Sequence, residues 1–406
     1  MAQDKRYYLL AISLLCMDLF LCTSVYEGKY DLPRVIKYLF SLSALFTLIY
    51  VCLSNRVKLS GENKRSYALN FFLLWSLCLL VLSPFESLLY VQKVFGARYY
   101  FLPFLVPVLV MSVDLNIEYY VAILKLTRKF LAFLLCYQLY LIIKGLSPDT
   151  WYFDMHIMTT LQLGTALLLF LSHMYKNLLL SNAIITSYLL SLFIYASWGR
   201  RGISIELAIT LLFFLGIKLF NKRLSFHAKK LNISLLCILV LAATVYYLTF
   251  ASDLYLFQRG INYSAVMDSR DRVWTDFFAD FTTAQDWIFG RGLNGTILRT
   301  ISLDQFGETI ETGYLFCLLK GGLLYVLLLI IIFLRAIYLG LFSSKNDLSK
   351  AFALIILIQL YNMSAFGLPD FSSKYTIVWL CVSGCYSYKL RNIENDELMR
   401  MLSQKG

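Results

Sequence analysis

Charged residues are scarce in this sequence. Only 15% of the 406 residues are Asp, Glu, Lys or Arg, whereas a soluble domain averages about 25%. Hydrophobic residues make up 59% of the chain, and the mean hydropathy is +0.67. These values exclude a soluble globular domain and predict an all-α polytopic membrane protein.

Residues that bind metals or form disulfides are few or lack a motif. The only histidines are His156, His173 and His227, and their spacing matches no zinc-binding motif. The nine cysteines lie mostly in apolar runs and include no CxxC pair, which favours small buried hydrophobic side chains over a redox or metal site. We therefore predict no metal and no cofactor. The net charge of +12 is ascribed to basic cytoplasmic loops, so no nucleic acid is expected as a partner.

Long hydrophobic runs recur along the whole sequence. They place about twelve spans, each near the roughly 20 residues that cross a bilayer. Pro103 and Pro107 predict a kinked or partly re-entrant segment within the span at 99–114. The run at 314–342 is too long for one straight span, so its start is expected to line a cavity before the helix proper begins after Gly322. The predicted spans are 7–26, 36–54, 67–84, 99–114, 122–143, 156–174, 178–198, 203–220, 232–251, 314–342, 350–367 and 373–390.

Basic clusters set the orientation of these spans. Clusters such as Lys5-Arg6, the five basic residues between 218 and 230, and Lys389/Arg391 all fall on one side. Because cytoplasmic loops are enriched in Lys and Arg, both termini are predicted to be cytoplasmic. The chain is thus predicted to be a single integral domain, residues 1–406, in the lipid bilayer of a bacterial inner membrane.

One polar segment, residues 252–312, interrupts the apolar sequence. It carries five arginines and nine carboxylates, and it is predicted to be a long, partly helical periplasmic loop. Arginines on that side run against the usual bias, and an anionic ligand is the first explanation. Apolar residues from Val273 to Phe281 recur at helical spacing, which predicts an amphipathic helix at the outer membrane interface.

Two further arginines, Arg200 and Arg201, stand at a tight break between predicted spans. Arginine often snorkels from helix ends, and this is the plainer interpretation. However, Gly202 lets the backbone approach a ligand closely, and the N-terminus of the helix that follows favours an anion. Together these features suit a phosphate group. Glu206, one turn later, is expected to hold one of the two guanidinium groups in place.

Four segments, in this order, resemble the superfamily of O-antigen polymerases and ligases that build bacterial cell-surface polysaccharides. Arg200-Arg201-Gly202 resembles its Ser-Arg-Gly element, and Arg270 with Trp274 resembles its Arg-x-x-x-Trp element. The run Phe289–Gly292 resembles its Gly-x-Gly turn, and Glu311–Leu315 resembles the element that returns the chain to the membrane. The resemblance covers roughly residues 195–345.

The last of these segments departs from the ligase pattern. Family ligases usually carry a His-Asn pair at the return element, where this chain has Glu311 and Thr312. The resemblance therefore implies a polymerase in preference to a ligase. An O-antigen ligase that transfers glycan to the lipid A core, a related lipid-linked glycan enzyme such as a shape-and-division glycosyltransferase, and a flippase or transporter of lipid-linked oligosaccharides remain as alternatives.

The resemblance implies a metal-independent glycosyltransferase that polymerises O-antigen or capsule. It would move a growing glycan from undecaprenyl pyrophosphate onto the next lipid-linked repeat unit at the periplasmic face. Glu311 is the expected base for the acceptor hydroxyl, and Arg201 and Arg270 are expected to contact the leaving pyrophosphate. A membrane protein that regulates chain length is the partner suggested. The residues expected to bind substrate are Arg200, Arg259, Arg272, Arg291 and Tyr314.

Overall fold

Helices form nearly all of the chain that the structure describes. The computed structural model describes residues 2–30, 33–55, 67–82, 93–146, 151–162, 164–175, 178–198, 200–220, 269–298, 306–307, 310, 312–365 and 367–403. A short antiparallel ribbon pairs β1 (Ile297–Leu298) with β2 (Phe306–Gly307). The helices are α1 (Ala2–Tyr30), α2 (Arg34–Ser54), α3 (Tyr67–Leu82), α4 (Leu102–Met111), α5 (Ile117–Lys144), α6 (Trp151–Leu161), α7 (Thr165–Phe170), α8 (Leu178–Ser197), α9 (Arg201–Phe220), α10 (Ser269–Asp280), α11 (Ala284–Phe289), α12 (Gly313–Phe342), α13 (Asp347–Ala365), α14 (Ser373–Tyr386), α15 (Tyr388–Asn392) and α16 (Asn395–Ser403).

Five helices in the described part of the chain are long and apolar enough to cross a membrane. Large apolar side chains point outward from the bundle, including Phe46, Val81 and Ile143. Contiguous exposed apolar surface of this kind requires a lipid environment. The chain is therefore a helical, multi-pass membrane protein, as predicted, while the count of twelve spans stays a prediction. The five stretches are Tyr7–Ser24, Arg34–Ser54, Ile117–Lys144, Leu179–Ser197 and Gly313–Phe342.

Three predicted spans differ from the helices found or lie outside the described residues. The run at 156–174 is not one helix, because α6 ends at Leu161 and α7 begins only at Thr165. At this break the Thr165 hydroxyl donates to the Gln162 carbonyl. The run at 99–114 yields the 10-residue α4 with Pro107 inside it. The run at 232–251 lies outside the described residues.

Helix α12 is broken near its start. Gly322 has φ 70° and ψ −176°, which are not helical angles, so two helical pieces meet at the position expected from the sequence. Packing against α13 shows the consequence: Gly313 packs on Met363, and Gly340 packs on Ser349. A straight α12 would separate Gly313 from Gly340 by roughly 40 Å, whereas their partners Met363 and Ser349 are only roughly 21 Å apart along α13. The piece before Gly322 therefore turns across the end of the bundle.

The opposite end of the bundle, where α12 meets α13, is closed by the buried Asn346. Its side-chain amide donates hydrogen bonds to the carbonyl oxygens of Leu390 at 2.7 Å and Ile393 at 3.1 Å. Its side-chain oxygen accepts a bond from the backbone N–H of Ser349 at 2.8 Å. One side chain thus caps the start of α13 and fixes the segment that leads into α16.

The mixed charge of residues 391–406 predicts a solvated tail, with a short surface helix as the alternative, and the described part of this segment contains the helix α16. Helix α16 packs against α5, and Leu398 and Leu402 are buried. These leucines lie one helical turn apart, so they form a single apolar face that the bundle covers. Of the two alternatives, the described part of this segment therefore forms the short surface helix.

We expect Asn346→Ala to lower the free energy of unfolding by about 1–3 kcal/mol, because buried backbone carbonyls would lose their donor. Thermal unfolding of the detergent-purified protein measures the effect. The matched control is Asn395→Ala, which removes a single bond, from the Asp347 backbone N–H to the Asn395 side chain at 2.8 Å. Equal losses in the two variants would contradict the closing role of Asn346.

Candidate functional site

The polar segment docks on the break in α12, at the end of the bundle that we call the loop end. Gly290 and Gly322 bring the two backbones together, and a Cβ at Gly290 would lie 2.6 Å from the Gly322 nitrogen. Both residues have a positive φ, 76° at Gly290 and 70° at Gly322, and residues other than glycine rarely adopt such angles. The N–H of Arg291 then donates to the Leu319 carbonyl at 2.7 Å. The loop thus supplies a donor that the interrupted helix lacks.

Two more side chains complete the hydrogen bonding at this break. The Trp75 indole N–H on α3 donates to the Gly321 carbonyl at 3.0 Å. Lys320 is only 2% exposed, and its ammonium donates to the carbonyl oxygens of Leu293 at 2.8 Å and Gly295 at 2.7 Å. A buried cation must have such partners, since its desolvation is costly. Lys320 therefore fixes the glycine-rich turn on the half-helix beneath it.

Arg291 holds the polar segment together from within. Its guanidinium contacts Asp280 at 2.5 Å and Asp286 at 3.0 Å, and it also donates to the Thr296 carbonyl at 2.8 Å. Although partial burial lowers the pKa of Arg291, the hydrogen bonds to Asp286 and Asp280 raise it above its usual value. The side chain thus stays charged and links α10, α11 and the ribbon.

We expect Gly290→Ala to destabilise the docked loop more than Gly292→Ala does. Both glycines have positive φ, so either substitution costs about 1–2 kcal/mol in backbone strain. Only the Cβ at Gly290 would also meet neighbouring backbone, at a further cost of about 1–3 kcal/mol, while nothing lies within 4 Å of a Cβ at Gly292. Limited proteolysis of the loop, together with thermal unfolding, measures the difference. Equal effects would contradict the close backbone approach at the break.

A cluster of ionisable side chains lies inside the loop end, and its centre is an ion pair. The Arg98 guanidinium donates twice to one Asp370 carboxylate oxygen, at 2.9 and 2.7 Å. The backbone segments that carry Arg98 and Asp370 are also joined, because the Phe371 N–H donates to the Arg98 carbonyl at 3.0 Å. The Arg98 side chain is 30% exposed, so it is accessible to a ligand while Asp370 orients it.

Asp18 adds a second carboxylate to this cluster. It lies within α1 and is only 2% exposed, and Ser373 donates its hydroxyl to both carboxylate oxygens at 2.7 Å. Both Asp370 and Arg98 act on Asp18 electrostatically. A buried ionisable group in a membrane-spanning helix is costly, so such groups usually mark a functional site.

His156 and Arg200 complete the set that we call the loop-end cluster: Asp18, Arg98, His156, Arg200, Asp370 and Ser373. His156 is buried at the middle of α6, and its electrostatic neighbours are Arg98, Asp370 and Arg200. The Arg200 backbone closes the α8–α9 junction, since its N–H donates to the Tyr195 carbonyl at 2.9 Å. The helices thus bring together side chains from five separate parts of the chain.

Glu206 has a different partner from the one that the sequence suggested. The Lys374 ammonium, on α14, donates to its carboxylate at 2.7 Å. The predicted pairing of Glu206 with Arg200 or Arg201 stays a prediction, because the Arg201 side chain lies outside the described part of the chain. Lys374 immediately follows Ser373, so this ion pair lies beside the loop-end cluster and connects α9 to α14.

The docked loop also touches the segment that carries Arg98. The Tyr100 hydroxyl donates to the side-chain oxygen of Asn294 in the glycine-rich turn. The neighbouring Tyr99 ring lies 4.9 Å from the Arg98 guanidinium. The break in α12, the glycine-rich turn and the cluster are therefore parts of one connected arrangement.

Most residues predicted from the sequence lie at this end, but few of their side chains are described. Arg259 and Glu311 lie outside the described residues. Arg201 begins α9, and Arg270 and Arg272 lie in the first turn of α10, but their side chains also lie outside the described part. Their proposed roles stay predictions.

Two of the predicted substrate-binding residues have described side chains with internal partners. The half-buried Tyr314 donates its hydroxyl to the Leu360 carbonyl at 2.8 Å. Arg291 bonds with the two aspartates described above. These contacts give both residues structural roles, and their contact with substrate stays a prediction.

Sequence reasoning missed Asp18, Arg98, His156, Asp370 and Lys374. One signal was present for Asp18, because an ionisable residue inside a predicted span is a functional candidate by the same argument that singled out Glu206. Arg98 likewise stands at a span junction on the side poor in basic residues, as Arg200 does. The others have no sequence signal, since only the fold brings them together.

Comparisons with protein-family models, with curated proteins and with solved structures find no match for this chain. Within the described residues, no three His, Cys, Asp or Glu side chains are grouped as a metal site would require. The function is therefore argued from the residues of the site and from the resemblance in its motifs.

Proposed function

We propose that this chain is a glycosyltransferase that polymerises a cell-surface polysaccharide, O-antigen or capsule, from lipid-linked repeat units. The observation that carries the proposal is the loop-end cluster. Arg98 and Arg200 of the cluster, and the adjacent Lys374 that pairs with Glu206, bring cationic groups to one end of the bundle, with acids beside them. Such a site suits an anionic headgroup whose lipid remains in the membrane.

The chemistry of the donor favours arginine over other side chains. Breaking the bond between a sugar and a pyrophosphate develops negative charge on the leaving group. A guanidinium is always charged and binds phosphate oxygens through a planar pair of donors. Held in place beforehand, as Asp370 holds Arg98, it stabilises that charge in the transition state. Arg201, Arg270, Arg272 and Arg259 are the further candidates for this role.

The acceptor hydroxyl needs a base. Glu311 is our candidate, on the return element that leads into the half-helix of α12, and the carboxylates of the cluster lie at the same end. The product would be a glycan lengthened by one repeat unit on its lipid carrier, undecaprenyl pyrophosphate. In this proposal the loop end faces the periplasm and both termini are cytoplasmic in a bacterial inner membrane. A chain-length regulator would be a partner protein.

We expect Arg98→Ala and Arg201→Ala to lower transfer by about 100-fold or more, as loss of a transition-state donor does in other enzymes. The measurement is the surface glycan of a deletion strain complemented with each variant and separated on a gel. The ladder should collapse to a single repeat unit. Arg335→Ala is the matched control, since it removes an exposed arginine of α12 beyond the break, far from the cluster, and should leave the ladder intact.

Other outcomes of this experiment identify the alternatives. If lipid-linked polymer accumulates but none reaches the lipid A core, the chain is a ligase. If single lipid-linked units accumulate on the cytoplasmic side, it is a flippase. An unchanged ladder in the deletion strain contradicts the polymerase proposal for that glycan. An intact ladder with Arg98→Ala alone contradicts the role of the cluster and leaves the polymerase assignment standing.

A further inference from the structure

The polar segment carries an exposed apolar edge that nothing in the described chain covers. Trp274 and Phe278 on α10 are 39% and 48% exposed, and Ile288 and Phe289 at the end of α11 are 47% and 46% exposed. The rings form one surface across both helices, because Phe278 stacks on Trp274 at 5.7 Å and on Trp287 at 5.8 Å. None of the six residues of α11 is buried.

Two aspartates near this edge bond with other groups of the segment. Asp280 and Asp286 bond with Arg291, and Asp280 also accepts from the Leu298 N–H at 3.1 Å. Phe277 on α10 and Phe281 directly after it are buried, and Phe277 packs on Phe281 and Trp287 within the segment. Trp274 and Phe278 of the same helix face outward, where a soluble loop would present polar side chains.

The exposed edge continues a surface that already faces lipid. The Phe289 ring lies 5.7 Å from the Trp75 ring of α3. On the same helix Phe71 and Leu74 are 48% and 56% exposed, and α3 carries no charged residue. An apolar surface of this kind on a membrane protein is covered by lipid chains. The edge of α11 adjoins this surface through the contact between Phe289 and Trp75.

The position of the exposed edge along the bundle axis also favours contact with lipid. Gly290 is packed against Gly322, so Ile288 and Phe289 lie at the level of the break in α12. From that break to Phe342 the helix is roughly 30 Å long, which matches the roughly 30 Å thickness of the hydrocarbon core. The edge therefore lies at the boundary of that core, where aromatic side chains are favoured.

We propose that Trp274, Phe278, Ile288 and Phe289 form a membrane anchor that seats the loop in the phospholipid leaflet at the loop end. The partner is the lipid surface itself. The proposed anchor requires only that the chain is a membrane protein, and it does not depend on the proposed function. Its effect is to hold the glycine-rich turn and the start of α12 at the level of the lipid headgroups.

Photo-crosslinking of the full chain in native membranes tests the anchor. Benzoylphenylalanine is introduced in place of Phe289 or, independently, of Ile288, and mass spectrometry follows irradiation. Leu74 on α3 is the positive control for lipid contact, and the exposed polar Gln285 on α11 is the negative control. Size-exclusion profiles show that each variant is folded before its adducts are compared.

We expect the probes at 288 and 289 to give a mass shift of one phospholipid, as at 74, and the probe at 285 to give none. A crosslink to a polypeptide, whether a second copy of this chain or another protein, would overturn the proposal. So would the absence of adducts at both positions while the probe at 74 reacts with lipid. The glycan ladder of the same strains reports separately on the proposed function.

Discussion

The interruption of α12 at Gly322 leaves backbone groups that the helix cannot satisfy by itself, and the loop end depends on how they are satisfied. The N–H of Arg291 and the indole of Trp75 bond with the carbonyls of Leu319 and Gly321. Gly321 and Gly322 are buried, and buried backbone groups must have hydrogen-bond partners. The broken helix is therefore stable only when the loop is docked on it, and the loop in turn packs at the break.

The same constraint positions the cluster. Because the first piece of α12 turns across the bundle, its start packs on Met363 and Gly367, near the segment that carries Asp370. The glycine-rich turn meets the segment before α4 through Tyr100 and Asn294. Charged residues from distant parts of the sequence thus lie on elements that pack around the break in α12 and the loop docked on it.

In the described chain, polar contacts occur at both ends of the bundle. At the far end Asn346 bonds mostly with backbone carbonyls, and the adjacent Asp347 contacts His173 at 3.0 Å and Lys350 at 3.1 Å. At the loop end the polar groups are side chains in ion pairs, and Arg98 and Lys374 are partly exposed. Partly exposed paired cations thus occur at both ends, and the loop end differs because its ion pair joins a buried cluster drawn from five separate parts of the chain.

The sequence by itself determined the membrane class, the positions of most helices and the polarity of the loop. Hydrophobic runs determine these features because each run must lie in lipid whatever its neighbours are. The break at Gly322 was also readable, since the run was too long and contained adjacent glycines. Counting the predicted spans also places the motif arginines Arg200, Arg201 and Arg270 at one end, and the span count itself stays a prediction.

The tertiary structure alone decided the partners. Glu206 bonds with Lys374 on α14, and Asp18 meets Ser373 at the other end of the sequence. Periodicity fixes which face of a helix is apolar, but it does not say which helices are neighbours. Pairing of charges depends on that packing, because an ion pair forms only between groups that the folded backbone brings within a few ångströms.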